Sequence, residues 1–213
     1  MLTVVGMGPA GLQWLAPAAR EAIAAAEALA GLVSDAELNA LVGGSRHLRQ
    51  FPAFAGERFA LGADIPALLA WIEARAGRRV VVLASGDPLF YGIGTRLIAH
   101  FGRERVQVIP GISAVQYLCA RAGIDMNDMW LTSSHGRAVS VDALAAHRKV
   151  AMVTDGRCGP REIAAQLTAR GKGHRWMVIG ENLAMENERI HWLPVSAVED
   201  EYEMNAVVIL DER

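Results

Sequence analysis
The chain has 213 residues, enough for one large or two small domains. Hydrophobic residues make up 52% and charged residues 21%, a balance that supports a sizeable core and argues against disorder. A formal net charge of −2 argues against a nucleic-acid binder, and no apolar run approaches the ~20 residues of a membrane-spanning helix.

Met1 to Gly6 reads as a strand rather than a signal peptide, which would need a basic start and a longer apolar stretch. Cys119 and Cys158 are far apart and in no metal spacing, which fits structural thiols in a reducing compartment. The expected location is cytoplasmic. Leu2 to Val5 is expected as a short buried strand running into Gly6-Met7-Gly8-Pro9-Ala10-Gly11. This is G-x-G-x-x-G after a strand and before a helix, the dinucleotide fingerprint. Two details weaken that reading. Pro9 removes one N–H from the loop that would cradle a pyrophosphate, and the acid expected ~20 residues further on is matched only loosely by Glu27 or Asp35.

Pro17 to Leu29 is Ala-rich and helical in propensity. Glu27–Val33 is echoed by Glu37–Gly43, either as a local tandem duplication or as chance similarity in an Ala/Leu-rich chain. Leu41-Val42 is expected as the second strand, because Gly43-Gly44-Ser45-Arg46-His47 then follows it as a loop at the ligand edge. Arg46 and His47 there suit carboxylate binding; a solvated loop with an incidental His is the alternative. Asp64-Ile65-Pro66 caps a helix through about Arg75, with Leu68, Leu69 and Ile72 on its apolar face.

Val80 to Leu83 is the pattern of a fully buried parallel strand, and it delivers Ser85-Gly86-Asp87-Pro88 at its carboxyl end, where open α/β sheets bind ligands. Asp87 suits a cationic or hydroxyl-bearing ligand better than a phosphate; a plain turn with Asp as helix cap is the alternative. A helix over Gly94–Phe101 and a strand over Val106–Ile109 lead to Pro110-Gly111-Ile112-Ser113-Ala114 and a helix over Val115–Ala122. The loops at Gly6, Ser85 and Pro110 share one design, glycine and small residues at a strand's carboxyl end, and can form one floor for a ligand held by backbone groups.

The polar Gly123–Asp128 stretch sets the expected domain boundary, giving domains 1–123 and 124–213. Trp130–Ser133 opens the second, followed by Ser134-His135-Gly136-Arg137. Strands are expected at Lys149–Thr154, Arg175–Ile179, Glu188–Leu193 and Ala206–Leu210, with a helix from Pro160 to Arg170. Consecutive strands after a strand–helix alternation imply a mixed, partly antiparallel sheet.

Together Val4-Val5-Gly6-Met7-Gly8-Pro9, Ser85-Gly86-Asp87-Pro88 with Tyr91-Gly92, and Pro110–Ala114 resemble the tetrapyrrole methylase family, the S-adenosylmethionine-dependent enzymes of corrin and sirohaem synthesis. The resemblance covers nearly the whole chain. Gly44–Leu48, Ser133–Arg137, Gly180-Glu181-Asn182-Leu183 and Glu188-Arg189-Ile190 make it most similar to the branch that methylates carbon 5 of a cobalt-precorrin in cobalamin biosynthesis. Ala10, Ala16 and Ser45 depart from the family pattern.

The resemblance implies an α/β protein of two α/β domains, the class III S-adenosylmethionine methyltransferase fold, with the cofactor in the cleft between them, and a homodimer. S-adenosylmethionine would be held by Pro9, Gly86, Asp87, Ser113 and Ala114, and from the second domain by Met152, Asn205 and Ala206. Arg46, His47, Ser134 and Arg137 would bind the many carboxylates of the tetrapyrrole. His135 would bind them too or transfer a proton, and Tyr91 would help shape the site. No metal ligand of the protein is expected; cobalt would arrive with the substrate, and a separate protein would act at carbon 15. Two rival readings are an NAD-dependent oxidoreductase and a non-catalytic binder of acidic small molecules. Methylation of another tetrapyrrole position is the alternative inside the family.

Overall fold
The computed structural model describes residues 1–9, 12–32, 51 and 53–213. Leu41-Val42 and the Gly43–His47 loop, with Arg46 and His47, lie outside the described residues. The chain divides into two compact units, Met1–Ser113 and Ala114–Arg213.

In the first unit, β1 (Leu2–Gly6) is followed by a single 3-10 turn and α1 (Pro17–Ala24), then β2 (Ala28–Leu32), β3 (Glu57–Leu61) and α2 (Ile65–Glu73). Next come β4 (Val80–Ala84), α3 (Ile93–Phe101) and β5 (Val106–Ile109). Asp64 caps α2 as expected, its carboxylate accepting the Ala67 N–H at 2.9 Å. The strands form one parallel sheet in the order β3-β2-β4-β1-β5. All five residues of β1 and of β4 are buried, because helices cover both faces. Val4, Val80 and Val82 pack with Leu68, Ile72 and Leu97 on one side. Val5, Val81 and Leu83 pack with Leu15, Ala19 and Ile23 on the other.

The second strand is not where the sequence pattern points. It runs over Ala28–Leu32, inside the first half of the echo, and takes the last two residues of the stretch read as helix. Ala28, Leu29 and Ala30 are wholly buried beside β4, with Ala28 opposite Val80 and Ala30 opposite Val82. Small side chains there let two helical layers close on the sheet, and tertiary burial overrides the helical propensity of alanine. The edge strand β3 was not expected: it opens on the charged pair Glu57-Arg58 and is largely exposed, with Phe59 and Leu61 turned to the core.

The second unit opens with α4 (Ala114–Ala122), so the division falls ahead of the Gly123–Asp128 turn. It continues with β6 (Trp130–Ser133), α5 (Val141–Ala146), β7 (Lys149–Val153) and α6 (Pro160–Thr168). The last strands are β8 (Trp176–Glu181), β9 (Arg189–Pro194) and β10 (Asn205–Leu210). The sheet order is β6-β7-β10-β8-β9, with β6 and β7 parallel and the other pairs antiparallel, which is the mixed sheet expected. Met152, Val207 and Ile209 meet Leu144, Ile163 and Leu167 in its core. On the other face Gly180 keeps room for α4: a Cβ there would stand 2.6 Å from Leu118 Cδ1.

Just before β8, Arg175 is completely buried. Its Nη1 donates to the Leu144 carbonyl at 2.8 Å, and its Nη2 to the carbonyls of His147 at 2.7 Å and Arg148 at 2.9 Å. One guanidinium thus satisfies the open C-terminal end of α5. Its Nε lies 2.8 Å from the Asp211 carboxylate, too poorly aligned for a hydrogen bond but close enough to balance the charge. Burial draws the Arg175 pKa downward, and Asp211 opposes this. Arg175→Met should lower unfolding stability by about 3 kcal/mol, since it leaves three carbonyls without their donor and the Asp211 carboxylate without its balancing charge; urea titration followed by circular dichroism checks this.

Candidate active site
The carboxyl ends of β1, β4 and β5 meet backbone to backbone. A Cβ on Gly6 would lie 2.4 Å from the Gly111 nitrogen and 2.8 Å from the Gly86 oxygen. A Cβ on Gly111 would lie 2.3 Å from that oxygen and 2.7 Å from the Gly6 carbonyl carbon. These neighbours are backbone and cannot swing aside. Glycine is therefore required at both places by the neighbouring chain. Gly8 and Gly86, both at positive φ, exchange two hydrogen bonds, N–H of Gly8 to O of Gly86 at 3.2 Å and the reverse at 3.0 Å.

That pairing answers the nucleotide fingerprint. The Met7 N–H is donated to the Ala84 carbonyl at 2.8 Å, the Gly8 N–H is used on Gly86, and Pro9 has none. The start of the loop has no N–H left for a pyrophosphate, and a 3-10 turn over Leu12–Trp14 follows it rather than an α-helix N-terminus.

Asp87 ties the same edge together. Its Oδ1 accepts the N–H groups of Leu89 at 2.8 Å and Phe90 at 3.2 Å, and its Oδ2 accepts the Gly111 N–H at 3.2 Å. Three of about four carboxylate acceptor positions are thus filled from the backbone. Asp87 is half-buried, Pro88 and Ser113 are buried and Pro9 is half-buried. Leu89 and Tyr91 are exposed beside the turn, Tyr91 at φ 53° with its ring against Phe90. Asp87 is the one charged residue of the segments 6–9, 85–92 and 110–113. An edge of bare backbone with one carboxylate fits the amine and ribose hydroxyls of S-adenosylmethionine and disfavours a phosphate.

The second unit repeats the device at the ends of β6 and β7. Asp155 accepts the N–H groups of Arg157 at 3.0 Å and Cys158 at 3.1 Å on Oδ1, and of Gly136 at 2.8 Å on Oδ2. Ser134, expected to contact substrate, is buried, and its hydroxyl donates to the Cys158 carbonyl at 2.7 Å; it joins two loops instead of facing solvent. His135, Gly136 and Arg137 are exposed. Met152, expected at the cofactor, is wholly buried and its side chain fills the core between paired strands. Asn205 and Ala206 begin β10 at the same sheet edge, and Thr154 Oγ1 donates to Asn205 Oδ1 at 2.6 Å. Ala114 begins α4.

Glu181, buried at the end of β8, accepts the Glu203 N–H at 2.8 Å and so fixes the segment leading into Asn205. Asn182, at φ 50°, donates its side-chain amide to the Glu203 carboxylate. Glu188 accepts the Ala184 N–H at 2.7 Å and the Arg121 Nε at 2.8 Å, which gives it a structural place in the unit. Among the described residues no group of three or more His, Cys, Asp or Glu could hold a metal ion, and no helix is long and apolar enough to cross a membrane.

Sequence reasoning missed Asp155, Thr154 and the role of Glu181. The signal for Asp155 was present: an acid two residues past a buried strand, as Asp87 is three residues past one, followed by Gly156 and by Gly159-Pro160.

Residues 1–198 match the family profile of the Tetrapyrrole (Corrin/Porphyrin) Methylases. The chain belongs to the tetrapyrrole methylase family. It is a methyltransferase, and its methyl donor is S-adenosylmethionine. It is 76% identical over 213 residues to the cobalt-precorrin-7 C(5)-methyltransferase of Salmonella typhimurium, covering 100% of both chains. It is 31% identical over 193 residues to the precorrin-6Y C(5,15)-methyltransferase (decarboxylating) of Sinorhizobium sp, covering 89% of this chain and 44% of that one. Its fold matches the crystal structure of uroporphyrin-III C-methyl transferase from Thermus thermophilus complexed with S-adenyl homocysteine. That match has a TM-score of 0.75 at 19% identity and covers 99% of this chain and 97% of that one.

Two measurements on this methylase follow from the geometry. Asp87→Asn keeps the size but turns one oxygen into an N–H donor, so at least one backbone N–H loses its acceptor; the Kd for S-adenosylhomocysteine should rise about tenfold or more by calorimetry. Glu181 is held below the ordinary 4.5 by the Glu203 N–H first of all, against burial, with help from His191 and Arg189. A depressed carboxylate stabilises the fold fully above its ordinary pKa and loses that contribution as pH falls through the folded value. Glu181→Gln, which can still accept the Glu203 N–H, should therefore flatten the loss of stability below pH 4.5 in urea titrations.

Proposed function
We propose that this chain transfers the methyl group of S-adenosylmethionine to carbon 5 of cobalt-precorrin-7 in cobalamin biosynthesis. The observation that carries this is 76% identity along the full length of a chain with that named activity. A separate protein acting at carbon 15 is proposed on the family resemblance alone. A homodimer and a cytoplasmic location are proposed on the family resemblance.

The sulfonium supplies a methyl group already activated for in-line displacement. The chain's work is alignment. Backbone groups of Gly6–Pro9, Ser85–Pro88 and Pro110–Ser113 orient the donor, and Asp87 takes its amine or ribose hydroxyls in the remaining acceptor position. The carboxylate has to stay off the sulfur, because positive charge disappears there during transfer and an anion would favour the ground state. The acceptor carbon belongs to an electron-rich conjugated system and attacks directly, so no nucleophilic side chain is needed. Arg137 and His135 receive carboxylates of the macrocycle from the exposed turn after β6, as Arg46 and His47 do in the sequence-based reading. Exposed Leu89 and Tyr91 offer apolar surface suited to a macrocycle face.

Incubation with cobalt-precorrin-7 and donor labelled with carbon-13 in the methyl group tests this. One labelled methyl at carbon 5, with one equivalent of S-adenosylhomocysteine, is expected. Label at another carbon would move the acceptor position, and absence of transfer would remove the assignment.

A further inference from the structure
We propose that Asp155 is a positioning residue that holds the Ser134–Arg137 turn in the shape that presents His135 and Arg137 to the acceptor. This rests on the reading of those two side chains as acceptor-binding groups. The turn projects from the end of β6, and its residues 135 to 137 are exposed, so no core packing shapes it. Its base is anchored at Ser134, whose N–H is donated to the Val153 carbonyl at 3.0 Å and whose hydroxyl is donated to the Cys158 carbonyl at 2.7 Å. The His135 N–H goes to Ser133 Oγ at 3.0 Å, and the Arg137 N–H to the Ser134 carbonyl at 3.3 Å. Both bonds are local to the turn. At Gly136, the residue between the two side chains, the N–H is donated to Asp155 Oδ2 at 2.8 Å, across to the loop after β7. Gly136 sits at φ 67° with open space around it, so the left-handed conformation and not crowding calls for glycine. A charged acceptor aimed at that N–H is what selects this conformation over others the open space would permit.

The other oxygen of Asp155 is engaged by Arg157 and Cys158, two and three residues on. Asp155 therefore cannot turn away without losing both. The arrangement has the same connectivity as Asp87, which accepts the N–H groups two and three residues on and one from the loop after another strand. The first unit uses it at the edge read as the donor site, and the second unit at the turn read as the acceptor site. The Gly136 N–H is also the largest influence keeping Asp155 ionised below its usual range. Asparagine is no substitute, because its amide nitrogen would face an N–H donor.

The test is steady-state kinetics of the full chain with cobalt-precorrin-7 and S-adenosylmethionine, for Asp155→Asn, Asp155→Glu, Arg137→Ala, His135→Ala and the double variant D155N/R137A. Asp155→Asn should raise the acceptor KM about tenfold, while kcat and the Kd for S-adenosylhomocysteine stay within about threefold. Asp155→Glu keeps the charge one methylene further out, which favours folding, and should give a smaller rise. Adding D155N to R137A should raise KM less than about twofold further, because a positioned group that is gone cannot be mispositioned. Amide exchange at Gly136 should quicken in D155N. An unchanged acceptor KM in D155N, or a parallel loss of KM, kcat and S-adenosylhomocysteine binding, overturns the proposal. If D155N leaves KM unchanged while R137A raises it, positioning alone fails. If R137A and H135A are both silent, the acceptor reading of the turn fails with it.

Discussion
Three backbones touch at the ends of β1, β4 and β5 with no side chain between them, and much of the first unit depends on that contact. Gly6, Gly86 and Gly111 can approach to distances at which a single Cβ would collide with main-chain atoms. Because the neighbours are backbone, the constraint cannot be relaxed by a rotamer change. The pairing of Gly8 with Gly86 follows from it, as does the reach of Asp87 across to Gly111. The result is an edge whose hydrogen-bonding groups are set in place before any ligand arrives, and preorganisation of this kind is what alignment catalysis requires.

The two units solve one problem with the same means. Each has loops at strand ends, and such loops lack the burial that fixes strands and helices. In each, an aspartate two or three residues past a buried strand collects three backbone N–H groups, two local and one from a neighbouring loop. A carboxylate suits this role because it is acceptor-only and can serve several donors at once. Glu181 does the related task for the segment entering β10. The ionised side chains around these edges thus serve the shape of the loops more than bond-making, which agrees with a reaction whose reagent is already activated.

Much of the structure was legible in the chain. The runs at Leu2–Val5, Val80–Leu83, Lys149–Thr154 and Ala206–Leu210 announced strands because a doubly covered strand is apolar at nearly every position. Ser85–Pro88 and Pro110–Ser113 announced loops at the carboxyl ends of strands through glycine and proline. The edge strand β3 and the short helix α5 were not legible, since one is charged and exposed and the other spans only Val141–Ala146. The start of β2, Ala28-Leu29, was read as the end of a helix because alanine favours helix locally, while the sheet needed small residues between two layers. Ser134 and Met152 were assigned to ligands by their place in motifs; that the one also joins two loops and the other also fills the core was not legible, because both contacts are made to residues distant in the chain.

By itself the sequence determined the family, the alternation of strands and helices, and the positions of the glycines and of Asp87, because each of these is a local property of residue type and order. Only the tertiary structure decided why those residues are needed. Gly6 and Gly111 are glycine because a distant loop occupies the space of their Cβ atoms. At the start of the apparent nucleotide loop the N–H groups of Met7 and Gly8 are already used by β4 and the Gly86 loop. Arg175, one arginine among many in the sequence, is the buried group that closes a helix end. Contacts between residues far apart in the chain set these roles, and no local pattern encodes which distant neighbour will arrive.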